Sequence, residues 1–185
     1  MAAQRLARGG IVAQATEGVW GLACDAHDDQ AIEALIELKG RSVGKGLIVT
    51  LASAEDALPL LAPLDAARQR DVLASWPGHV TWLVPATDMS EISELAHGDS
   101  ERIALRVPLH AQMRRVIDQA GVPIISTSAN PSGAPPARSA LRVRQYFGRA
   151  LDMVLPGQIG NATGPSEIRD AVSGEIVRAA NQSSA

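Results

Sequence analysis

HAQMRRVIDQAGVPIISTSANPSG, residues 110–133, decides the fold class. Residues 110–120 read as a helix that Gly121 ends. Residues 122–126 follow as an apolar strand. Ser126, Thr127, Ser128 and Asn130 then crowd the strand end with small polar side chains, and 130–137 (NPSGAPPA) read as a loop. Helix, apolar strand and polar strand end are the unit of an α/β sheet, whose ligand crevices form at strand ends. The neutral structural alternative for this cluster is a Ser/Thr or Asx turn that terminates the strand.

Working outward, Ile- and Val-rich runs alternate with segments of helical period. Strands are expected over 11–15, 47–51, 80–84, 103–107, 153–155, 167–172 and 175–178. The last two are joined by Ser173-Gly174 as a hairpin. Helices are expected over 28–39, capped by Asp28 or Asp29, over 65–76 and over 139–147, with a short one capped by Ser53 and broken near Pro59. No repeat or linker interrupts this order, so residues 1–185 read as a single α/β domain. Its core is one twisted mixed β-sheet with covering helices.

Composition narrows the function classes. Seventeen Lys+Arg against twenty Asp+Glu leave a net charge of −3, which argues against binding nucleic acid by bulk charge. Aromatic residues make up only 3 %, too few for a base-stacking platform. One cysteine excludes a disulfide framework and a cysteine-based zinc site. No apolar run approaches the ~20 residues of a membrane span, and no secretory signal is visible, so no membrane partner and a cytoplasmic setting are expected.

Several motifs tempt and fail. Gly40-Arg41-Ser42-Val43-Gly44 matches a G-x-S-x-G elbow, but a helix precedes it and a strand follows, the reverse of what that elbow needs. Gly44-Lys45-Gly46 resembles a fragment of a phosphate-binding loop, yet Gly46 stands where a Ser or Thr would hold magnesium. The four histidines show no metal-ligand spacing. Cys24 reads as a small buried residue.

Three features survive. Lys39, Arg41 and Lys45 place three cations at a helix end and in a glycine-containing loop. They read either as helix-dipole capping or as an anion site, in which Arg supplies a bidentate fork and Lys a point charge. The Ser126–Asn130 cluster is the second feature. The third is scattered: Arg106 inside an apolar strand, Ser166 entering one, Arg178 ending one, and Arg138, Arg142, Arg144 and Arg149 around one helix. Arg106 needs a partner or a ligand, because an isolated buried charge is costly. The arginine run reads as a solvated face or as a contact for a phosphate backbone.

Lys39-Gly40-Arg41 paired with Ser128-Ala129-Asn130 resembles the K-x-R and S-x-N signature of the YrdC-like family, the threonylcarbamoyl-AMP synthases. TEGVWGL (16–22), LKGRSVGKGLIV (38–49), SWPGHVTWLVPA (75–86), ALRVP (104–108), STSANPSG (126–133) and PSEIRD (165–170) occur in the family's order and span nearly the whole chain.

The resemblance implies a YrdC-like fold with a concave, positively charged cleft, in the short single-domain branch of the family. It implies condensation of L-threonine, bicarbonate and ATP to threonylcarbamoyl-AMP and pyrophosphate, for modification of adenosine 37 in tRNA. Mg²⁺ arrives with the ATP, and no protein metal site is expected. Carried over, Lys39 and Arg41 are catalytic and face the triphosphate, with Lys45, Ser128, Asn130 and Arg178 on the nucleotide. Thr16, Arg106, Ser126 and Ser166 hold the threonine. Apart from the resemblance, the glycines of loop 40–46 suggest a loop able to close over the ligands and exclude water. The downstream tRNA threonylcarbamoyl transferase complex is the implied partner, with room for a weak tRNA contact.

Two other readings stay open. One is a non-catalytic RNA-binding or ribosomal-RNA-maturation module using the same cleft. The other is a carbamoyltransfer domain like that of the hydrogenase maturation factor, whose further domains do not fit in 185 residues.

Overall fold

The structure, a computed structural model, describes residues 1–87 and 92–180. Its helices are α1 (Ala2–Leu6), α2 (Asp29–Lys39), α3 (Ala66–Ala74), α4 (Ala111–Ala120) and α5 (Ala140–Phe147). Its strands are β1 (Val12–Ala15), β2 (Trp20–Asp25), β3 (Ile48–Thr50), β4 (Val80–Pro85), β5 (Arg102–Arg106), β6 (Ile124–Ser128), β7 (Met153–Val154), β8 (Glu167–Asp170) and β9 (Ile176–Arg178). Glu55–Ala57, Pro59–Leu61 and Glu94–Ala96 are single 3-10 turns.

Local chemistry sets the helix limits. Asp28 caps α2 by accepting from the Ala31 amide, and Gly40 ends it in the left-handed conformation, φ 59°. Asp65 caps α3 by accepting from the amides of Ala67 and Arg68. Ser139 caps α5 by accepting from the Arg142 amide. Gly121 closes α4 with φ 70°. Ser53 and Asp56 bond each other's amides, but Pro59 interrupts the helical run after them, so the short helix expected there is two 3-10 turns.

The nine strands form one mixed sheet in the order β7-β1-β2-β6-β3-β5-β4-β8-β9. The pairs β1–β7, β3–β5 and β4–β8 are parallel, and the others are antiparallel. Two expectations shift. Residues 20–25 form a central strand that the sequence conceals, because Gly21 and the small Ala23 and Cys24 break the β-branched pattern. The strand expected at 122–126 runs instead from Ile124 to Ser128. Val122 and Pro123 form the turn out of Gly121, and the Pro123 carbonyl accepts from the Ala26 amide.

Strand periodicity divides the sheet into two faces. Leu22, Val49, Ile125 and Leu105 point to one face, where they pack on Ile32, Leu35 and Ile36 of α2, Val72 of α3, and Val143 and Phe147 of α5. Burying each such side chain contributes about 1.5–3 kcal/mol. The opposite face is covered at only one end. There Leu6 of α1 and Met113, Val116 and Ile117 of α4 pack on Val12, Ala23 and Ile124. Beyond Ile124 on that face the strands continue without a covering helix among the described residues.

Candidate active site

The uncovered stretch floors a cleft of about 330 Å³. Register puts Ser128 opposite Gly21, Ser126 opposite Ile48, and Ala104 opposite both Ile48 and Leu83, so these side chains share the cleft face with Arg106. The walls come from distant parts of the chain: Thr16 and Val19 between β1 and β2, Arg41 and Gly46 after α2, Gly164 and Ser166 before β8, and Arg178 in β9.

One end of the cleft is cationic. Arg41 is half-buried, and its Nη2 donates to the Gly46 carbonyl at 2.8 Å, so its own loop holds its guanidinium. Arg178 donates from Nη2 to the Ser166 carbonyl at 2.9 Å, and its Nε is buried with no protein partner. Burial, followed by the charge of Arg41, lowers the pKa of Arg178, so the two guanidinium groups repel each other. Neither belongs to an ion pair among the described residues. Two neighbouring cations without a carboxylate form a site that an anion relieves.

Lys39 stands behind this end rather than on the cleft wall. It is 3 % exposed, and its Nζ donates to the carbonyls of Ser128 at 2.5 Å and Asn130 at 2.7 Å. The Lys39 carbonyl in turn accepts from the Ser132 amide at 2.7 Å. The K-x-R and S-x-N segments are thus stitched together by the lysine. Burial, aided by the Arg41 charge, pulls the Lys39 pKa down to about 8. Asn130 likewise lies off the cleft wall. Its Nδ2 donates to the carbonyls of Pro131 and Ala134, which organises the 130–137 loop, while its Oδ1 is buried without a protein partner.

On the same cleft Arg106 is 7 % exposed and pairs through Nη2 with Glu17 Oε1 at 2.5 Å. Its Nε donates to the Gly78 carbonyl at 3.1 Å. Burial pushes the Glu17 carboxyl up, but Arg106 and the backbone amides of Glu17, Leu109 and His110 outweigh it and hold the pKa below the usual value. Nearby, the Ser166 hydroxyl shares a 2.8 Å hydrogen bond with Thr81, and the Thr16 hydroxyl donates to the Val19 carbonyl. Gly21 leaves space between Thr16 and Ser126: a Cβ there would lie 3.0 Å from Thr16 Cγ2 and 3.7 Å from Ser126 Oγ.

Loop 40–46 is tied to the segment 96–99. Leu47 donates to the Ala96 carbonyl and Asp99 to the Gly44 carbonyl, while Lys45 bridges Gly98. Gly98, at φ +60°, comes so close that a Cβ would lie 2.7 Å from the Gly44 carbonyl oxygen. Lys45 is exposed on this loop and does not line the cleft.

Of the residues expected at the site, Thr16, Arg41, Arg106, Ser126, Ser128, Ser166 and Arg178 line one cleft. Sequence reasoning missed Gly21, His79 and Arg102 on its walls and Glu17 beneath it. Glu17 had a signal: an acid in an apolar stretch is the complement that a buried Arg106 requires. Cys24 is fully buried, and burial, followed by Asp25 and Asp28, raises its thiol pKa, so it is no nucleophile. Among the described residues no group of three or more His, Cys, Asp or Glu is placed to hold a metal ion. No helix among them is long and apolar enough to cross a membrane.

Comparison with known proteins places the chain in a family. The family model named Sua5_yciO_yrdC, described as "Telomere recombination", matches residues 4–180. A Marinobacter nauticus protein named threonylcarbamoyl-AMP synthase is 42 % identical over 178 residues, covering 96 % of this chain and 93 % of its own. P. abyssi Sua5 complexed with L-threonine superposes with a TM-score of 0.82 at 29 % identity, over 91 % of this chain and 49 % of that one. A P. abyssi Sua5 double variant gives 0.85 at 30 %, over 92 % and 52 %. This chain therefore spans about half the length of the P. abyssi protein.

Proposed function

The chain belongs to the Sua5/YciO/YrdC family, and from that premise we propose that it is a threonylcarbamoyl-AMP synthase. It joins L-threonine, bicarbonate and ATP to give threonylcarbamoyl-AMP, pyrophosphate and water. The observation that carries this reading is the cationic, hydroxyl-bearing lining of the cleft. Arg41 and Arg178, in no ion pair among the described residues, share it with the guanidinium of Arg106 that Glu17 fixes and with the hydroxyls of Ser126 and Ser128. The names of the relatives speak for the synthase rather than for the RNA-binding alternative.

The chemistry needs this layout. The threonine amine attacks bicarbonate-derived CO₂ and loses a proton, which gives a carbamate. A carbamate oxygen then attacks the α-phosphorus, the bond to the bridging oxygen breaks, and pyrophosphate leaves with the electron pair. Threonine carbamate is a dianion and ATP a polyanion, so cations must offset their repulsion. Arg41 and Arg178 do so where charge builds on the leaving pyrophosphate. Arg106 receives the α-carboxylate, and Ser126, Ser166 and Thr16 line the space beside it. Ser128 lines the nucleotide side, while Asn130 organises the 130–137 loop and Lys39 holds the backbone of both in place and adds its charge from behind. Alignment of carbamate and phosphorus supplies much of the acceleration.

Mg²⁺ enters as part of the substrate. Such an ion keeps phosphate oxygens and waters as ligands and needs no carboxylate cage from the protein. The activity is that of a nucleotidyltransferase. The product serves tRNA modification in the cytoplasm, passing to a tRNA threonylcarbamoyl transferase complex.

Incubation with ATP, threonine and labelled bicarbonate tests the reading. Label is expected in an AMP adduct only when threonine is present. Label that never enters an adenylate, or enters equally without threonine, contradicts it.

A further inference from the structure

His79 immediately precedes β4, and its ring lies on the cleft wall between Arg106 and the 164–166 segment. Its Nδ1 is 3.0 Å from Arg106 Nη2. Its Nε2 is 3.1 Å from the Gly164 carbonyl oxygen. A guanidinium only donates, and a carbonyl oxygen only accepts. Nδ1 must therefore carry a lone pair and Nε2 the proton, so the neutral Nε2–H tautomer alone satisfies both contacts. With both nitrogens committed, the ring is not free to take a proton from a substrate amine.

We propose that His79 is a positioning residue for the amino-acid end of the site. As the neutral Nε2–H tautomer it ties Arg106 to the 164–166 segment and fixes the guanidinium that receives the substrate α-carboxylate. This rests on the synthase reading. Glu17 from the β1–β2 turn, and the Gly78 carbonyl and His79 from the segment before β4, then grip Arg106 from two sides of the chain. Those contacts use Nε and both hydrogens of Nη2, so Nη1 alone is left to donate to a carboxylate, from a guanidinium held in one orientation.

Protonation of the ring reverses the effect. Nδ1 becomes a donor facing a donor, and a second positive charge sits against Arg106. The charged groups that bear on the ring are Arg106 from β5 and Glu17 from the β1–β2 turn, while Arg41, Arg102 and Arg178 line the same cleft. Burial and Arg106 lower the His79 pKa, and Glu17 with the backbone of Gly164 and Pro165 pulls the other way with less effect. The ring is neutral at neutral pH, and amino-acid affinity falls on the acid side, below the ordinary histidine value of 6.5. Nucleotide affinity does not share that limb.

The test compares wild type with His79→Ala and His79→Gln in steady-state kinetics across pH, beside ¹H–¹⁵N spectra of the wild-type imidazole. His79→Ala is expected to raise the threonine KM about tenfold while the ATP KM stays within about twofold. His79→Gln, which keeps an acceptor and a donor but cannot titrate, is expected to restore most of the threonine affinity and to lose the acid limb. The spectrum is expected to show the Nε2–H tautomer at neutral pH. Equal rises in both KM values, an acid limb that survives in both variants, an Nδ1–H tautomer or a cationic ring at neutral pH each overturn the proposal. If His79→Ala does not fold, the Gln variant and the wild-type spectrum decide. If wild type itself shows no threonine-dependent turnover, the synthase reading falls first, and the spectrum still decides the tautomer and the grip on Arg106.

Discussion

Ile125 and Ser126 are consecutive in β6 and face opposite ways. Ile125 is fully buried with Val49 and Leu105 under α2 and α5. Ser126 is half-buried on the floor of an open cleft, beside Ile48, Ala104 and Arg106. The same three strands thus carry a closed apolar face and an open polar one. On the open side the covering helices α1 and α4 stop at Ile124. The site is the remainder of the sheet face that no helix among the described residues reaches, and its rigidity is borrowed from the core on the other side. Residues of the two faces are therefore expected to fail differently when changed, one set in stability and the other in turnover.

The sharpest break in that division comes from Arg41→Ala. It removes a cation that stabilises charge in the transition state, so kcat/KM is expected to fall by about 10²–10³-fold. The melting temperature is expected to stay within about 2 °C of wild type, because the residue joins no ion pair among the described residues and repels Arg178. A large drop in melting temperature would place Arg41 among the structural residues.

Leu105→Ala probes the closed face. It is expected to cost about 3 kcal/mol of stability in denaturant titration, by lost transfer energy and a residual cavity. Turnover per folded molecule at low temperature is expected to stay near wild type. A greater loss in activity than in stability would mean that the two faces are coupled through β5.

Gly21→Ala tests the open floor. The added methyl meets Thr16 Cγ2 at 3.0 Å and narrows the space beside Ser126. The threonine KM is expected to rise about tenfold, with little change in the ATP KM. Equal effects on the two substrates would move the amino-acid pocket elsewhere.

The smallest effect is a pH limb at Lys39. Its folded pKa of about 8 lies below the ordinary 10.5. The unfolded chain thus binds more protons between these values, and the stability this group contributes rises with pH across that window and is lost as pH falls through about 8. Function runs the other way. The ammonium that holds Ser128 and Asn130 and adds positive charge is lost above pH 8, so the ATP KM is expected to climb about threefold toward pH 9. Lys39→Arg, which stays charged, is expected to lack the limb. A wild-type ATP KM that is flat across this range would remove Lys39 from the electrostatics of the site.

These divisions were partly legible in the sequence. Helix caps and glycine stops fixed α2, α4 and α5 to within a residue or two, because Asp28, Ser139, Gly40 and Gly121 act locally. β2 was hidden because its pattern is broken by Gly21, whose missing side chain opens the cleft floor. The need for a partner to Arg106 could be read from its apolar setting, but Glu17 and His79 meet it only through the sheet order, which no local pattern encodes. Lys39 was legible as a site residue, while its role as a tether of two carbonyls depends on the loop 130–137 folding back onto α2.

A crystal structure with L-threonine and a non-hydrolysable ATP analogue tests the account most directly. The prediction is that the carboxylate lies within hydrogen-bond distance of Arg106 and the β- and γ-phosphates within that distance of Arg41 and Arg178, with both ligands on the uncovered face. Phosphates bound away from those two arginines, or an amino acid seated anywhere but beside Arg106, would contradict it.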